Sequence, residues 1–370
     1  MIHVSTPSRI CLFGEHQDYL GLEVIASAIN LHFTAHAQPR SDSILHIRIR
    51  DKSIGELGAQ NTEGKYEEYF IDTATDLVYE NNRDYFKSVV NVLRKAGFSV
   101  GGADVTLDSE IPIGKGMCSS TTMVLVLTTA LAALSDRKRA EDAANMALLA
   151  WKAEVEEFHE PGGMMDHYAS ALGGLVHLDF STGSAVPTPL DFEPKGCFIL
   201  FDSLQDKDTI KVLGDSKYPT QEALASLNPY GITSIRDFYR DPSLEKYVDT
   251  LDEFHQRKVR ANIDNYRIQR EALQLIQTKT MTDEKLGELL NRHQANLRDG
   301  LQISTPVIDR ILETAIAHGA FGGKFNGSGG GGCLYCYAPL DRADSIVSAV
   351  NQMGYPAMIL RKDRGLTITD

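Results

Sequence analysis

The N-terminal part of the chain reads as strands. Apolar positions recur over residues 2–6, 10–13, 32–39 and 44–50, spaced as strand segments require. Residues 84–96 change period. Phe86, Val89, Val90, Val92 and Leu93 fall near one face of a helix. Residues 103–112 alternate again and stop at Pro112, which cannot donate to a strand ladder. A run rich in Ala, Leu, Val and Met over 121–134 predicts a helix, and a second is expected over 140–158. Strands are predicted at 173–179 and 197–202. From about Gln205 long charged helices dominate, over 242–270, 283–301 and 306–318. A glycine-dense stretch from Gly319 to Gly332 then leads to a strand at 333–337, a helix at 342–353 and a strand at 357–361. This change of character places a domain boundary near residues 190–205, giving domains 1–195 and 196–370.

Composition narrows the partners. The 370 residues carry 37 Lys and Arg against 50 Asp and Glu, a net charge of −13. That balance argues against nucleic acid, which needs a broad basic surface. No apolar run reaches the ~18 residues of a membrane span. Five cysteines, an odd number without a recognisable leader, predict a reducing cytoplasm. Cys333 and Cys336 form a lone CxxC in a predicted strand, where residues three apart face opposite sides. They read as buried small residues rather than as a zinc site.

Three stretches carry candidate chemistry. Pro112-Ile-Gly-Lys-Gly-Met-Cys-Ser-Ser-Thr-Thr122 is a glycine-kinked, hydroxyl-rich turn running into an apolar helix. Such a turn presents unpaired N–H groups and a positive dipole end, an anion site that suits phosphate. Glu15, His16, Asp18 and Tyr19 crowd together beyond a short apolar strand, a cluster that suits either a polyhydroxylated ligand or a solvated loop. Asp166 lies in the glycine-rich stretch 160–168, either as a turn or cap residue or as an acid–base group. The Gly327–Gly332 run formally contains GxGxxG, but a strand follows where a dinucleotide fold needs a helix.

Together these stretches resemble the GHMP kinases, the small-molecule kinases that include galactokinase, homoserine, mevalonate and phosphomevalonate kinases. Residues 7–19 are similar to the galactokinase signature, 112–122 to the family's phosphate loop, 160–168 to galactokinase's Gly-Ile-Met-Asp-Gln segment, and 327–333 to the third family motif. Order and spacing agree over nearly the whole chain. The resemblance implies an α+β two-domain fold, an N-terminal ribosomal protein S5 domain 2-like domain with a C-terminal ferredoxin-like α/β domain. ATP and substrate would bind in the cleft between domains. It also implies phosphoryl transfer from Mg²⁺-bound ATP to a small sugar, on the galactokinase-like branch a sugar 1-kinase acting on galactose or a relative. The enzyme would be cytoplasmic, a monomer or small homo-oligomer, with no nucleic-acid or membrane partner.

Roles carry over with the motifs. Gly114, Lys115, Gly116, Met117, Cys118, Ser119 and Ser120 would hold the triphosphate, chiefly by backbone amides. Ser120 and Glu154 would bind Mg²⁺. Asp166 would accept the proton of the attacking hydroxyl, and Arg9 would stabilise that carboxylate and offset phosphoryl charge. Glu15, His16, Asp18, Gly163, Tyr218, Gly329 and Gly330 would contact the sugar. Departures from the pattern touch the acceptor and the base. Cys118-Ser-Ser-Thr-Thr122 replaces Ser-Ser-Ser-Ala-Ser, and Asn82-Arg-Asp-Tyr85 stands where galactokinases carry Trp-x-Asn-Tyr. The segment after Asp202 also differs. The alternatives are a mevalonate-type kinase and a catalytically silent sugar–ATP sensor.

Overall fold

A computed structural model describes residues 1–50 and 66–370. In chain order the strands and helices are β1 (Ile2–Phe13), β2 (Glu23–Pro39), β3 (Ile44–Arg50), β4 (Tyr66–Asp72), α1 (Tyr85–Lys95), β5 (Ala103–Ser109), α2 (Ser119–Ser135), α3 (Arg137–Ala140), α4 (Ala143–Trp151), α5 (Met165–Leu172), β6 (Leu175–Asp179), β7 (Val186–Pro189) and β8 (Cys197–Asp202). There follow α6 (Thr209–Leu227), α7 (Ile235–Arg240), α8 (Glu253–Gln277), α9 (Asp283–Ala295), α10 (Pro306–Ala317), β9 (Gly322–Phe325), β10 (Cys333–Ala338), α11 (Ala343–Gln352), β11 (Ala357–Leu360) and β12 (Thr367–Thr369).

The chain forms two compact units that are interleaved in sequence, where the sequence reading draws one boundary at 195/196. The first unit comprises Met1–Arg9, Ala28–Gly174 and Lys362–Asp370; the second comprises Ile10–Ser27 and Leu175–Arg361. The division therefore falls within β1 and β2. A linear hydrophobicity pattern cannot show which strands a segment will later pair with.

In the first unit the sheet runs β12-β1-β2-β5-β3-β4. β3 and β5 are parallel, whereas β2–β5 and β3–β4 are antiparallel. β5 alternates buried and half-buried residues along its length, the signature of a sheet with one face on the core. α2 is buried on nearly every side, as its all-round apolar composition requires. It packs among α1, α4 and α5.

The second unit contains the antiparallel sheet β11-β8-β10-β9. Its core joins Ile199 and Phe201 of β8, Leu334 and Cys336 of β10, Ile308 and Ile311 of α10 and Ile346 of α11. A second core gathers Leu22, Leu227, Phe238, Val259 and Tyr266 around α8. Cys333 and Cys336 are buried within β10.

Several predicted elements change at their ends. Residues 2–6 and 10–13 form one strand continuous through Pro7, which costs one ladder donor and does not end the strand. The helix expected over 140–158 starts at Ala143, where the Asp142 side chain caps Asn145 N, and passes into a π-turn at Lys152–Glu156. The helix expected over 242–270 is divided. A 3₁₀ segment at Pro242–Thr250 precedes α8, which the Asp252 carboxylate caps. Among the described residues no helix is long and apolar enough to cross a membrane.

Candidate active site

In the first unit the candidate chemistry is assembled around β1, the loop before α2, and the start of α5. Arg9, near the middle of β1, is 2% exposed. Its Nε donates to Asp166 Oδ1 at 2.8 Å and its Nη2 to Oδ2 at 2.7 Å, the two-pronged geometry that fits a guanidinium to a carboxylate. Its Nη1 donates to the Gly116 carbonyl at 3.1 Å. One buried cation thus fixes both the acid of α5 and the glycine loop. Asp166 keeps 28% of its side chain exposed, so the carboxylate is held without being sealed off.

The loop itself is wound by left-handed residues. Gly114, Gly116 and Cys118 have φ of 69°, 82° and 50°. The Ser8 hydroxyl donates to the Met117 carbonyl at 2.8 Å and pins the loop to β1. Met117 is buried, and the Cys118 thiol points inward, near the Ser8 and Ser170 hydroxyls at 3.7 and 3.8 Å. Burial pushes that thiol's pKa up. These two residues therefore offer the loop's surface backbone alone. Lys115, Ser119 and Ser120 are half-buried and Gly114 is exposed. No side chain caps the first turn of α2. An uncapped N-terminus of a 17-residue helix behind such a loop fits an anion such as a triphosphate.

Glu154 sits in the π-turn after α4, a type of distortion frequent at functional sites. It is 5% exposed, with its Oε2 2.8 Å from His167 Nε2. The two are close without hydrogen-bond alignment, and Glu154 Oε2 has no hydrogen-bond partner. A buried carboxylate oxygen left this way fits a hard cation. Gly163 is half-buried in the turn that precedes α5.

A cavity of about 600 Å³ opens elsewhere in the first unit, lined by Tyr69, Phe70, Tyr85, Phe86, Asp84 and Met123 among others. Tyr69 and Phe86 meet edge to face at 4.9 Å between centroids. The sequence comparison at residues 82–85 leaves an aromatic platform without an owner. Aromatic side chains line this cavity from α1 and also from β4, which the periodicity of the sequence does not mark. The exposed aromatics within residues 66–72 were the available signal.

The second unit treats its polar cluster differently. Glu15 is 2% exposed and accepts from Lys324 Nζ at 2.5 Å and from Gly327 N at 3.1 Å. His16, at φ 64°, is also buried. Its Nε2 faces the Ser328 carbonyl at 3.0 Å and therefore carries the proton. Nδ1 then accepts from Tyr19 OH at 2.8 Å. Burial, against the pull of the Ser328 bond, lowers the His16 pKa to about 3, so the ring is neutral. Asp18 opens a 3₁₀ turn at Asp18–Leu20 and is half-buried, while Tyr218 of α6 is half-exposed.

Gly329 and Gly330 have φ of 77° and 74°. A Cβ on Gly329 would lie 2.5 Å from the Ile303 carbonyl oxygen, and one on Gly330 would lie 2.9 Å from Val212. Gly330 N donates to that same Ile303 carbonyl at 2.8 Å. The close approaches of this loop are thus to residues of its own unit.

Three segments of the chain match known family models. Residues 84–174 match the GHMP kinases N terminal domain, residues 272–356 the GHMP kinases C terminal domain, and residues 2–39 the galactokinase galactose-binding signature. The chain belongs to the GHMP kinases. As a member it is an ATP-using phosphotransferase with an alcohol acceptor. The galactokinase of Glaesserella parasuis is 27% identical over 352 residues, covering 93% of this kinase and 86% of the relative. That of Exiguobacterium sibiricum is 28% identical over 378 residues, covering 95% and 89%. The crystal structure of Lactococcus lactis galactokinase complexed with galactose superposes with a TM-score of 0.80 at 23% identity, covering 99% of this kinase and 95% of that chain.

Proposed function

We propose that this GHMP kinase transfers the γ-phosphoryl group of Mg²⁺-bound ATP to a small sugar, as a galactokinase-like sugar 1-kinase with galactose as its first candidate substrate. The observation that carries the reading is the Arg9–Asp166 pair tied to the Gly116 carbonyl, because one guanidinium then serves acid and phosphate loop together.

ATP supplies the phosphoryl group and Mg²⁺ supplies charge neutralisation on it. The amides of residues 114–120 hold the phosphates, with Lys115 beside them. Ser120 and Glu154 hold the cation. The aromatic cavity of the first unit receives the base, with stacking from Tyr69, Tyr85 or Phe86. Asp166 takes the proton of the attacking hydroxyl as its oxygen bonds to the γ-phosphorus and ADP leaves. The Arg9 charge keeps Asp166 oriented. In the first unit Gly163 contacts the sugar; for Asp18, Tyr218, Gly329 and Gly330 a sugar role rests on the resemblance to galactokinase alone. Glu15 and His16 belong to the same loop, which their internal hydrogen bonds rigidify.

The test is ADP release measured against a panel of hexoses, amino sugars, pentoses and uronic acids, with mevalonate included. The reading expects turnover with galactose or an epimer of it. Turnover with mevalonate alone would replace it by the mevalonate-type reading. Binding of sugar and nucleotide without ADP release would replace it by the silent sensor.

A further inference from the structure

The start of α5 carries two consecutive polar residues with different neighbours. Asp166 engages Arg9. His167, about 100° further round the helix, turns inward and is 2% exposed. Its Nε2 lies 2.8 Å from Glu154 Oε2, yet neither His167 nitrogen and not that Glu154 oxygen has a hydrogen-bond partner. Three buried polar atoms are left unsatisfied, which costs the fold stability unless a ligand completes them. The family resemblance implies a role for Glu154 and none for His167.

The spacing itself is informative. Two ligand atoms about 2.1 Å from one cation and at right angles to each other stand about 3.0 Å apart. The ring nitrogen then aims its lone pair at the cation and not at the oxygen, so no N–H···O alignment is expected. A short, misaligned N···O contact between two buried groups matches that arrangement better than it matches a hydrogen bond. Among the described residues no group of three or more His, Cys, Asp or Glu could hold a metal. A two-residue pair needs further ligands from hydroxyl, phosphate or water, as is usual for a cation that arrives with a nucleotide.

We infer that His167 Nε2 and Glu154 Oε2 together ligate the divalent cation of the nucleotide complex, which makes this a nitrogen–oxygen site. The inference rests on the proposed role of Glu154. In the ligand form the ring keeps its proton on Nδ1, and Nε2 gives its lone pair to the cation. Imidazole shifts preference away from Mg²⁺, which favours oxygen, toward Mn²⁺ and Co²⁺. The consequence is a sugar kinase whose metal selectivity is set by the residue that follows its acid.

The test uses the full chain with Mn²⁺ and the β,γ-methylene analogue of ATP, which has no nitrogen in its phosphate chain. Electron spin-echo modulation should show a directly bound histidine nitrogen. The signal should change when the protein is labelled with ¹⁵N-histidine and vanish in His167→Gln. In the same variant, Mn²⁺ affinity relative to Mg²⁺, measured by competition calorimetry, should fall about tenfold. Nucleotide-dependent Mn²⁺ binding without histidine coupling in the wild-type protein would overturn the inference and leave the role of Glu154 standing. Coupling that persists in His167→Gln would also overturn it. No nucleotide-dependent Mn²⁺ binding would overturn both.

Discussion

Two polar clusters, the one at Glu15 and His16 in the second unit and the one at Asp166 and Glu154 in the first, handle their polar groups in opposite ways. In the second, Glu15 is neutralised by Lys324 and bonded by Gly327 N, and both nitrogens of His16 are occupied. In the first, Asp166 is held but 28% exposed, the first turn of α2 has no side-chain cap, and Glu154 and His167 touch without bonding. At Glu15 and His16 the satisfied groups build a loop, whereas at Asp166 and Glu154 the unmet capacity stands open to a ligand. Residues from the two sets should therefore respond differently to substitution, one losing stability and the other losing turnover.

The largest expected effect falls on the first set. Asp166→Asn should lower kcat about 10²- to 10⁴-fold, the usual worth of a general base. Sugar and nucleotide affinity, measured by calorimetry, should stay within a few-fold. Near-wild-type turnover would break the comparison. Glu15→Ala should act on stability instead. It strands a fully buried Lys324 ammonium with the carbonyls of Cys11 and Phe325 for company, a loss of about 3–5 kcal/mol in urea unfolding. If Glu15→Ala kept its stability and lost sugar affinity alone, Glu15 would belong with the ligand-directed residues.

Gly329→Ala should cost about 1–3 kcal/mol, because φ is 77° and the new Cβ would meet the Ile303 carbonyl oxygen. An unchanged unfolding midpoint would show that this loop has room. A further effect is on pH dependence. His16 is held near a pKa of 3, below its ordinary 6.5, so the unfolded chain takes up a proton there that the fold refuses. Stability should decline as pH falls from about 6.5 toward 3. Glu23 adds to the decline lower down. Burial raises its pKa, but the His177 hydrogen bond and the charge of Arg270 outweigh that and hold it at about 2. Its contribution is intact above pH 4.5 and lost as pH falls toward 2. Thermal melts should show a single direction of change, and His16→Gln should flatten the upper part of the curve.

Much of this was legible in the sequence, for a physical reason. The loop from Pro112 to Thr122, the strand carrying Arg9 and the stretch holding Asp166 are local patterns, set by glycine, hydroxyl and apolar spacing over a dozen residues. What the sequence hid is non-local. Lys324 lies 309 positions from the Glu15 it neutralises, and nothing near either residue announces the other. The same holds for the aromatic cavity, whose walls come from β4, α1 and Met123 of α2. It holds also for the division of the chain inside β1 and β2. His167 and Glu154 are thirteen positions apart on separate helical segments, so only the fold shows that they touch.

The central claim is that this chain phosphorylates a sugar at its anomeric hydroxyl, using Asp166 as the base. The most direct measurement is ³¹P NMR of the product formed from galactose and ATP. The account predicts a phosphomonoester resonance coupled to the anomeric proton, formed by the wild-type enzyme and suppressed in Asp166→Asn. A phosphate coupled to the protons at another carbon, or equal product from the variant, would contradict it.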